Sequence, residues 1–204
     1  PDYAEAHNNL GNALKDLNQL DTALKSYEKA LAIKPDFAEA HYNLGITHQG
    51  LGQLDAAIKH YERALEIKPD YTEAFNNLSG VLNELGQPDA AVKSYQKILD
   101  IKPDFAEAHY NLGIAHKDLG QLDDAAKSLE KALAIKPDFA EAHNNLGIAY
   151  KDLNQLSDAI KCYKLALEIK PDYAEAHYNL GIAYKNLNQP DEAFKSYKKA
   201  LAIK

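Results

Sequence analysis

The run KPDFAEAHYNLGI fills residues 34–46 and returns, letter for letter, at residues 102–114. Sliding the chain against itself by 34 residues aligns it from end to end, so the duplicated run is one part of a shorter period. Six units begin at Pro1, Pro35, Pro69, Pro103, Pro137 and Pro171. They span 1–34, 35–68, 69–102, 103–136, 137–170 and 171–204, with no insertion or linker between them. The expected organisation is therefore a single array over 1–204.

Within a unit the period is helical. In the first unit Ala6, His7, Leu10, Ala13, Leu14 and Leu17 share one side of a 3.6-residue wheel, which predicts an amphipathic helix A with that side buried. Leu20, Ala23, Leu24, Tyr27, Ala30 and Leu31 give helix B a similar stripe, with Thr22, Lys25 and Lys29 opposite. Between the helices Asn18 is matched by Gly52, Gly86, Gly120, Asn154 and Asn188, the residue types that enter the left-handed conformation most cheaply. Each helix B ends in Ile-Lys and is followed by Pro-Asp, as at Pro35 and Asp36, where the proline stops one helix. Asp36 is expected to cap the next helix, with Glu39 bonding back to it. Pro88 and Pro190 fall where the first turn of helix B should lie, the helical site that accepts proline. Gly11 and its equivalents Gly45, Gly113, Gly147 and Gly181 allow close approach to the alanines Ala23, Ala57, Ala125, Ala159 and Ala193. The third unit has Ser79 followed by Gly80, and a slightly wider crossing is expected there.

Composition narrows the class. At 204 residues and 46% apolar the chain has enough hydrophobic material for an ordinary core. No stretch approaches the ~20 consecutive apolar residues of a membrane span, and no signal-peptide pattern opens the chain. A single cysteine, Cys162, excludes an internal disulfide framework and is compatible with a reducing compartment such as the cytoplasm. The net charge of −7, with Lys and Glu intermixed, lacks the basic stripe that a nucleic-acid partner requires. The start at Pro1 and the absence of Met suggest a piece of a longer protein.

A 34-residue helix–turn–helix with Leu-Gly in helix A, Ala-Tyr-Ala in helix B and a closing Pro resembles the tetratricopeptide repeat, over the whole chain. One departure recurs. His7, His41, His109, His143 and His177, with Phe75 in the third unit, stand where that family favours Trp. The spelling AHYNLG is similar to the array of O-linked N-acetylglucosamine transferases and to many bacterial arrays. The resemblance implies an all-α, right-handed superhelical solenoid whose A helices line a concave groove. Its implied function is a scaffold that binds an extended peptide or protein partner. Two alternatives are the substrate-docking arm of a larger enzyme such as a glycosyltransferase, and an engineered or excised array without a ligand.

Candidate groove residues follow from the polar side of helix A. The most regular row is Asn9, Asn43, Asn77, Asn111, Asn145 and Asn179. An asparagine amide offers two donors and an acceptor, which suits a peptide backbone, or equally a bond to the neighbouring helix that fixes repeat geometry. Tyr42, Tyr110 and Tyr178 precede alternate members of that row and are candidates either for ligand contact or for packing on the next repeat. Lys117, Lys151 and Lys185, with Lys15, border the same face, while Ile46, Ile114, Ile148 and Ile182 interrupt its polarity. Family members that clamp a terminal carboxylate use Lys or Arg on the A helices. Glu5 and its equivalents fill one such position here, which disfavours that activity.

The chain reads as a non-enzyme. No nucleophile–base constellation or phosphate-cradling loop is present, and no cofactor is expected. His41/His48 and His109/His116 are seven apart, unlike the spacing of about four found in single-helix zinc motifs, and read as packed neutral rings. His60 replaces the Ser of sister units and reads as incidental, so no metal is expected. The last helix B would leave Tyr197, Ala200 and Leu201 uncovered, which suggests end-to-end self-association.

Overall fold

A computed structural model describes residues 3–203, so Pro1, with which the first unit opens, and Lys204, the last residue, lie outside the described residues. The fold is all-α: twelve helices form six helix–turn–helix pairs. They are α1 (Ala4–Asp16), α2 (Leu20–Ile33), α3 (Ala38–Gly50), α4 (Leu54–Ile67), α5 (Thr72–Leu85), α6 (Pro88–Ile101), α7 (Ala106–Asp118), α8 (Leu122–Ile135), α9 (Ala140–Asp152), α10 (Leu156–Ile169), α11 (Ala174–Asn186) and α12 (Pro190–Ile203). The sequence suggests one array; the structure groups the repeats into two compact units, Pro1–Pro103 and Asp104–Lys204, of three repeats each. Within each unit the pairs stack as solenoid repeats.

The turn between helices A and B has the expected chemistry. Asn18, Gly52, Gly86, Gly120, Asn154 and Asn188 all have φ between 56° and 72°. In five repeats the next residue closes the helix end, as Gln19 N–H does on the Leu14 carbonyl at 2.8 Å. Pro88 and Pro190 open α6 and α12. The entry into helix A differs from expectation. Asp36 does not cap α3; the capping residue is Phe37, with φ −95° and ψ 89° and without a side-chain cap. The Pro35-Asp36 pair turns the chain one step earlier, and the Asp36 carboxylate is held by Arg63 at 2.6 Å. The aromatic at the helix start has its own partner, the lysine ending the preceding helix B. Lys34 Nζ lies 4.6 Å from the Phe37 ring centre and Lys136 Nζ 4.8 Å from Phe139.

Burial follows the wheel with one exception. Tyr27, Tyr61, Tyr95 and Tyr163 on helix B are almost wholly buried, as are Leu44, Leu78, Leu112, Leu146 and Leu180 on helix A. The predicted stripe of α1 is wet instead: Leu10 is 51% exposed and Leu17 68%, where Leu44 is 1%. Each interior repeat within a unit lays that side of helix A on the repeat before it; α1 has no such neighbour within its unit. A leucine so placed contributes up to ~1.5–3 kcal/mol when covered.

The tightness of the first, second, fifth and sixth hairpins is set by a glycine and a ring. A Cβ on Gly11 would come within 2.4 Å of the Tyr27 ring, and on Gly147 within 2.5 Å of Tyr163. The sequence pairs these glycines with alanines; the group that fills the space is the side chain four residues further along, a tyrosine in four repeats and Leu129 in the fourth. In the third repeat Ser79 takes the glycine position opposite Tyr95, and α5 and α6 touch along much less of their length than the other five pairs. The widening exceeds the slight one expected. The Tyr95 ring sits 5.9 Å from Phe75, and Gln87 makes no bond to the Leu82 carbonyl among the described residues. The α6 helix leans on α4 instead, where Ser94 bonds to Glu62 and Lys97 Nζ reaches the same carboxylate at 2.9 Å.

Candidate binding surface

The asparagine row lies on the A helices, and much of its hydrogen bonding runs from one repeat to the next. Asn43 Nδ2 donates to Asn8 Oδ1 at 3.0 Å, and Asn179 Nδ2 to Asn144 Oδ1 at 3.1 Å, with both donors buried. Where the preceding residue is Tyr the same amide finds its hydroxyl: Asn77 on Tyr42 at 3.3 Å, Asn145 on Tyr110 at 3.2 Å. Asn145 also donates to the Glu141 carbonyl at 3.0 Å and accepts from Lys117 Nζ at 3.3 Å. Asn9 is exposed, and Asn77, Asn111 and Asn145 are half-buried. Alternation of Asn8 and Tyr42 types thus marks two ways of satisfying one donor.

The tyrosines also pack forward. Tyr42 lies 4.9 Å from Tyr71, and Tyr110 4.7 Å from Phe139, each the residue that starts the next helix A. Tyr178, on the last helix A described, is 53% exposed. Beside it Glu175, Lys185, Tyr197, Ala200 and Leu201 line a cleft of about 950 Å³. Lys151 pairs with Asp152 at 3.1 Å, while Lys185 is exposed. Ile46, Ile114, Ile148 and Ile182 are half-buried, and Ile148 packs on the core of the last two repeats. The carboxylates of Glu5, Glu107 and Glu141 are each met by the lysine that ends their own repeat, Lys34, Lys136 and Lys170, at 3.2–3.6 Å. Asp16, Glu39, Glu73, Glu84, Asp118 and Asp152 are exposed on the same helices, leaving the surface acidic.

Histidines fill the large position of helix A in five repeats. Nε2 of His41, His143 and His177 donates to the carbonyl of Pro35, Pro137 and Pro171 at 3.0–3.1 Å, so each ring ties its helix to the turn before it. The second repeat adds His60, whose Nδ1 is 3.1 Å from that of His41. Burial, followed by the charges of His41 and His48, depresses the His60 pKa to about 4; burial also depresses that of His41. Burial pushes the Cys162 thiol up to about 11, leaving it protonated and inert at neutral pH.

Models of the tetratricopeptide repeat match residues 11–52, 81–120, 116–154 and 149–188 in one form and 38–71 and 174–204 in another. The chain belongs to the tetratricopeptide repeat family. Among solved structures this array is similar to MamA at 31% identity, over 78% of this chain and 94% of that one, with a TM-score of 0.69. It is similar to YrrB, described as a TPR protein with an unusual peptide-binding site, at 27% identity over 86% and 90% with a TM-score of 0.63. PilW, described as a type IV pilus biogenesis factor, matches at 25% over 98% and 92% with a TM-score of 0.65. Comparison with curated proteins gave no match. No helix among the described residues is long and apolar enough to cross a membrane. The repeat array is a protein-interaction scaffold.

Proposed function

We propose that the A-helix face of each three-repeat unit holds an extended peptide, with the side chains at the third, fourth and tenth positions of the AHYNLGIAHK-type helix doing the contacting. The supporting observation is the division of labour on that face. Inter-repeat bonds hold Asn43, Asn77, Asn145 and Asn179 to the repeat before each, so that the partly exposed Tyr, Ile, Lys and carboxylate groups of neighbouring A helices keep fixed positions relative to one another within a unit. Asn9 is exposed and Asn77, Asn111 and Asn145 are half-buried, so each can reach a peptide backbone, and Tyr42, Tyr110 and Tyr178 offer rings at the edge. Lys117, Lys151 and Lys185 complete the face. Its exposed carboxylates favour a peptide carrying basic and apolar residues over an acidic one. YrrB, a relative of this family, is described as having a peptide-binding site, which agrees with the reading.

A displayed random-peptide library selected on the whole chain tests this. Selected peptides should be rich in Lys or Arg. Tyr178→Ala should weaken those seated in the second unit by roughly 1–2 kcal/mol, the scale of a modest hot spot, whereas Lys185→Ala, which removes a positive charge from the same face, should leave them as tight or tighter. Peptides unaffected by these and by Asn9→Ala, yet lost on changing exposed helix-B residues such as Lys131, would place binding elsewhere. Self-association belongs to the same proposal. Leu10 and Leu17 on α1, and Leu201 (79% exposed) on α12, are the complementary faces that interior repeats press together. In this 204-residue chain, sedimentation should show concentration-dependent assembly that Leu201→Glu abolishes.

A further inference from the structure

We propose that His41 and His60 form a two-nitrogen binding site for a divalent transition-metal ion, Cu(II) above all. Their Nδ1 atoms face one another at 3.1 Å across the second hairpin. An ion bound to both at the usual metal–imidazole length of ~2.0–2.1 Å would subtend about 95–100°, between the ~90° of a square-planar site and the ~109° of a tetrahedral one. The rings, now 33° apart in plane with centres 5.4 Å apart, need only tilt for both lone pairs to converge on one point.

The protons are already arranged for this. His41 donates Nε2–H to the Pro35 carbonyl at 3.1 Å, which leaves its Nδ1 as a lone pair and supplies the outer hydrogen bond that metal-bound imidazoles ordinarily have. His60 must then donate Nδ1–H to His41 in the metal-free chain. Metal binding moves that proton to Nε2 of the same ring, so neither imidazole changes charge. His48 stacks on His60, ring centres 5.3 Å apart and only 6° from parallel, and is itself held by Gln53 at 2.6 Å. The stack fixes the His60 ring but aims no third donor at the ion, and no set of three ligating side chains exists among the described residues. Water completes the coordination. The charged neighbours are Arg63, Asp36 and Glu66, joined by ion pairs of 2.6 and 2.8 Å and together net negative, which admits a cation. Affinity for imidazole nitrogen rises through Ni(II) to Cu(II), hence the choice of ion.

The site is unique to one repeat. At the helix-B position of His60 the others carry Ser26, Ser94, Ser128, Cys162 and Ser196. These sister residues also supply the test. Cu(II) is added below one equivalent to the full chain, to His60→Ser, and to His41→Phe, the residue at that position in the third repeat. Electron paramagnetic resonance and competition with a chelator report the outcome. The wild type should show splitting from two nitrogens. Both variants should lose it and bind roughly tenfold more weakly or worse, since loss of even an outer-sphere partner costs ~10–100-fold. His48→Tyr, the residue of the fifth and sixth repeats, should leave the signal unchanged. Retention of the two-nitrogen signal in either His60→Ser or His41→Phe, or its loss in His48→Tyr with the fold intact, overturns the assignment.

Discussion

The third hairpin and the fifth share 15 of their 34 residues, the helix-B tyrosine among them, yet one is open and the other closed. In the fifth, Gly147 lets the Tyr163 ring lie against helix A at a distance where a Cβ would overlap it, at 2.5 Å. In the third, Ser79 occupies that place opposite Tyr95, and α6 has turned its contacts towards α4. Both tyrosines are buried, so the hydrophobic gain of the ring is kept in each. What is lost in the third repeat is the union of the two helices. Of the differences between the two repeats, Ser79 in place of glycine is the one that faces the ring directly.

Copying the open spelling into a closed repeat should have the largest effect. Gly147→Ser forces the Tyr163 ring off the helix, and overpacking of this kind costs ~1–3 kcal/mol, read as a lower urea midpoint with an unchanged slope. The reverse change, Ser79→Gly, should close the third hairpin. Packing gained there is offset by the ~0.5–1 kcal/mol that glycine costs in a helix, so stability should change by under ~1 kcal/mol while amide exchange in α5 and α6 slows.

Two smaller effects sharpen the comparison between repeats. Asn145→Ala removes bonds to Tyr110, Glu141 and Lys117 and should cost ~1–2 kcal/mol, whereas Asn9→Ala, in the first repeat and exposed, should fall within ~0.5 kcal/mol. The second repeat alone should respond to mild acid through a histidine pair. Burial holds His60 and His41 below their ordinary pKa, so between about pH 6.5 and pH 4 the unfolded chain binds more protons than the folded one. Stability should therefore fall as pH drops through that window. His60→Ser, measured with a chelator present, should remove ~1–2 kcal/mol of that dependence after allowance for partial solvation.

Much of this was legible in the sequence because a repeat multiplies weak signals. Six Gly-or-Asn turns, six Pro-Asp steps and a period of 34 leave little freedom, and the left-handed turn residues and N-terminal prolines fall where their chemistry puts them. Asp36 does not cap because the chain turns one step before the helix begins, as in the other repeats, where Tyr3, Tyr71, Phe105, Phe139 and Tyr173 hold the cap position without a side-chain bond. The stripe of α1 failed because periodicity says which side is apolar, not whether a neighbour exists. Ser79 was visible as a departure, but its consequence depends on the Tyr95 ring, a partner that the wheel of helix A does not contain. The asparagine row shows the same limit from the other side. Its regularity suits a ligand and a scaffold equally, and only the 3.0–3.3 Å bonds to the preceding repeat show how much of it is already engaged. His60 reads in sequence as an incidental replacement for the Ser of its sister units; its partner, His41, lies across the hairpin.

Distance measurement by double electron–electron resonance addresses the glycine–tyrosine rule most directly. Spin labels at the exposed Glu73 and Lys97 of the third repeat are compared with labels at the equivalent Glu175 and Lys199 of the sixth, in a Cys162→Ser background. A longer separation in the third repeat, shortening towards that of the sixth on Ser79→Gly, is the predicted result. Equal separations before the substitution, or no change after it, would contradict the account.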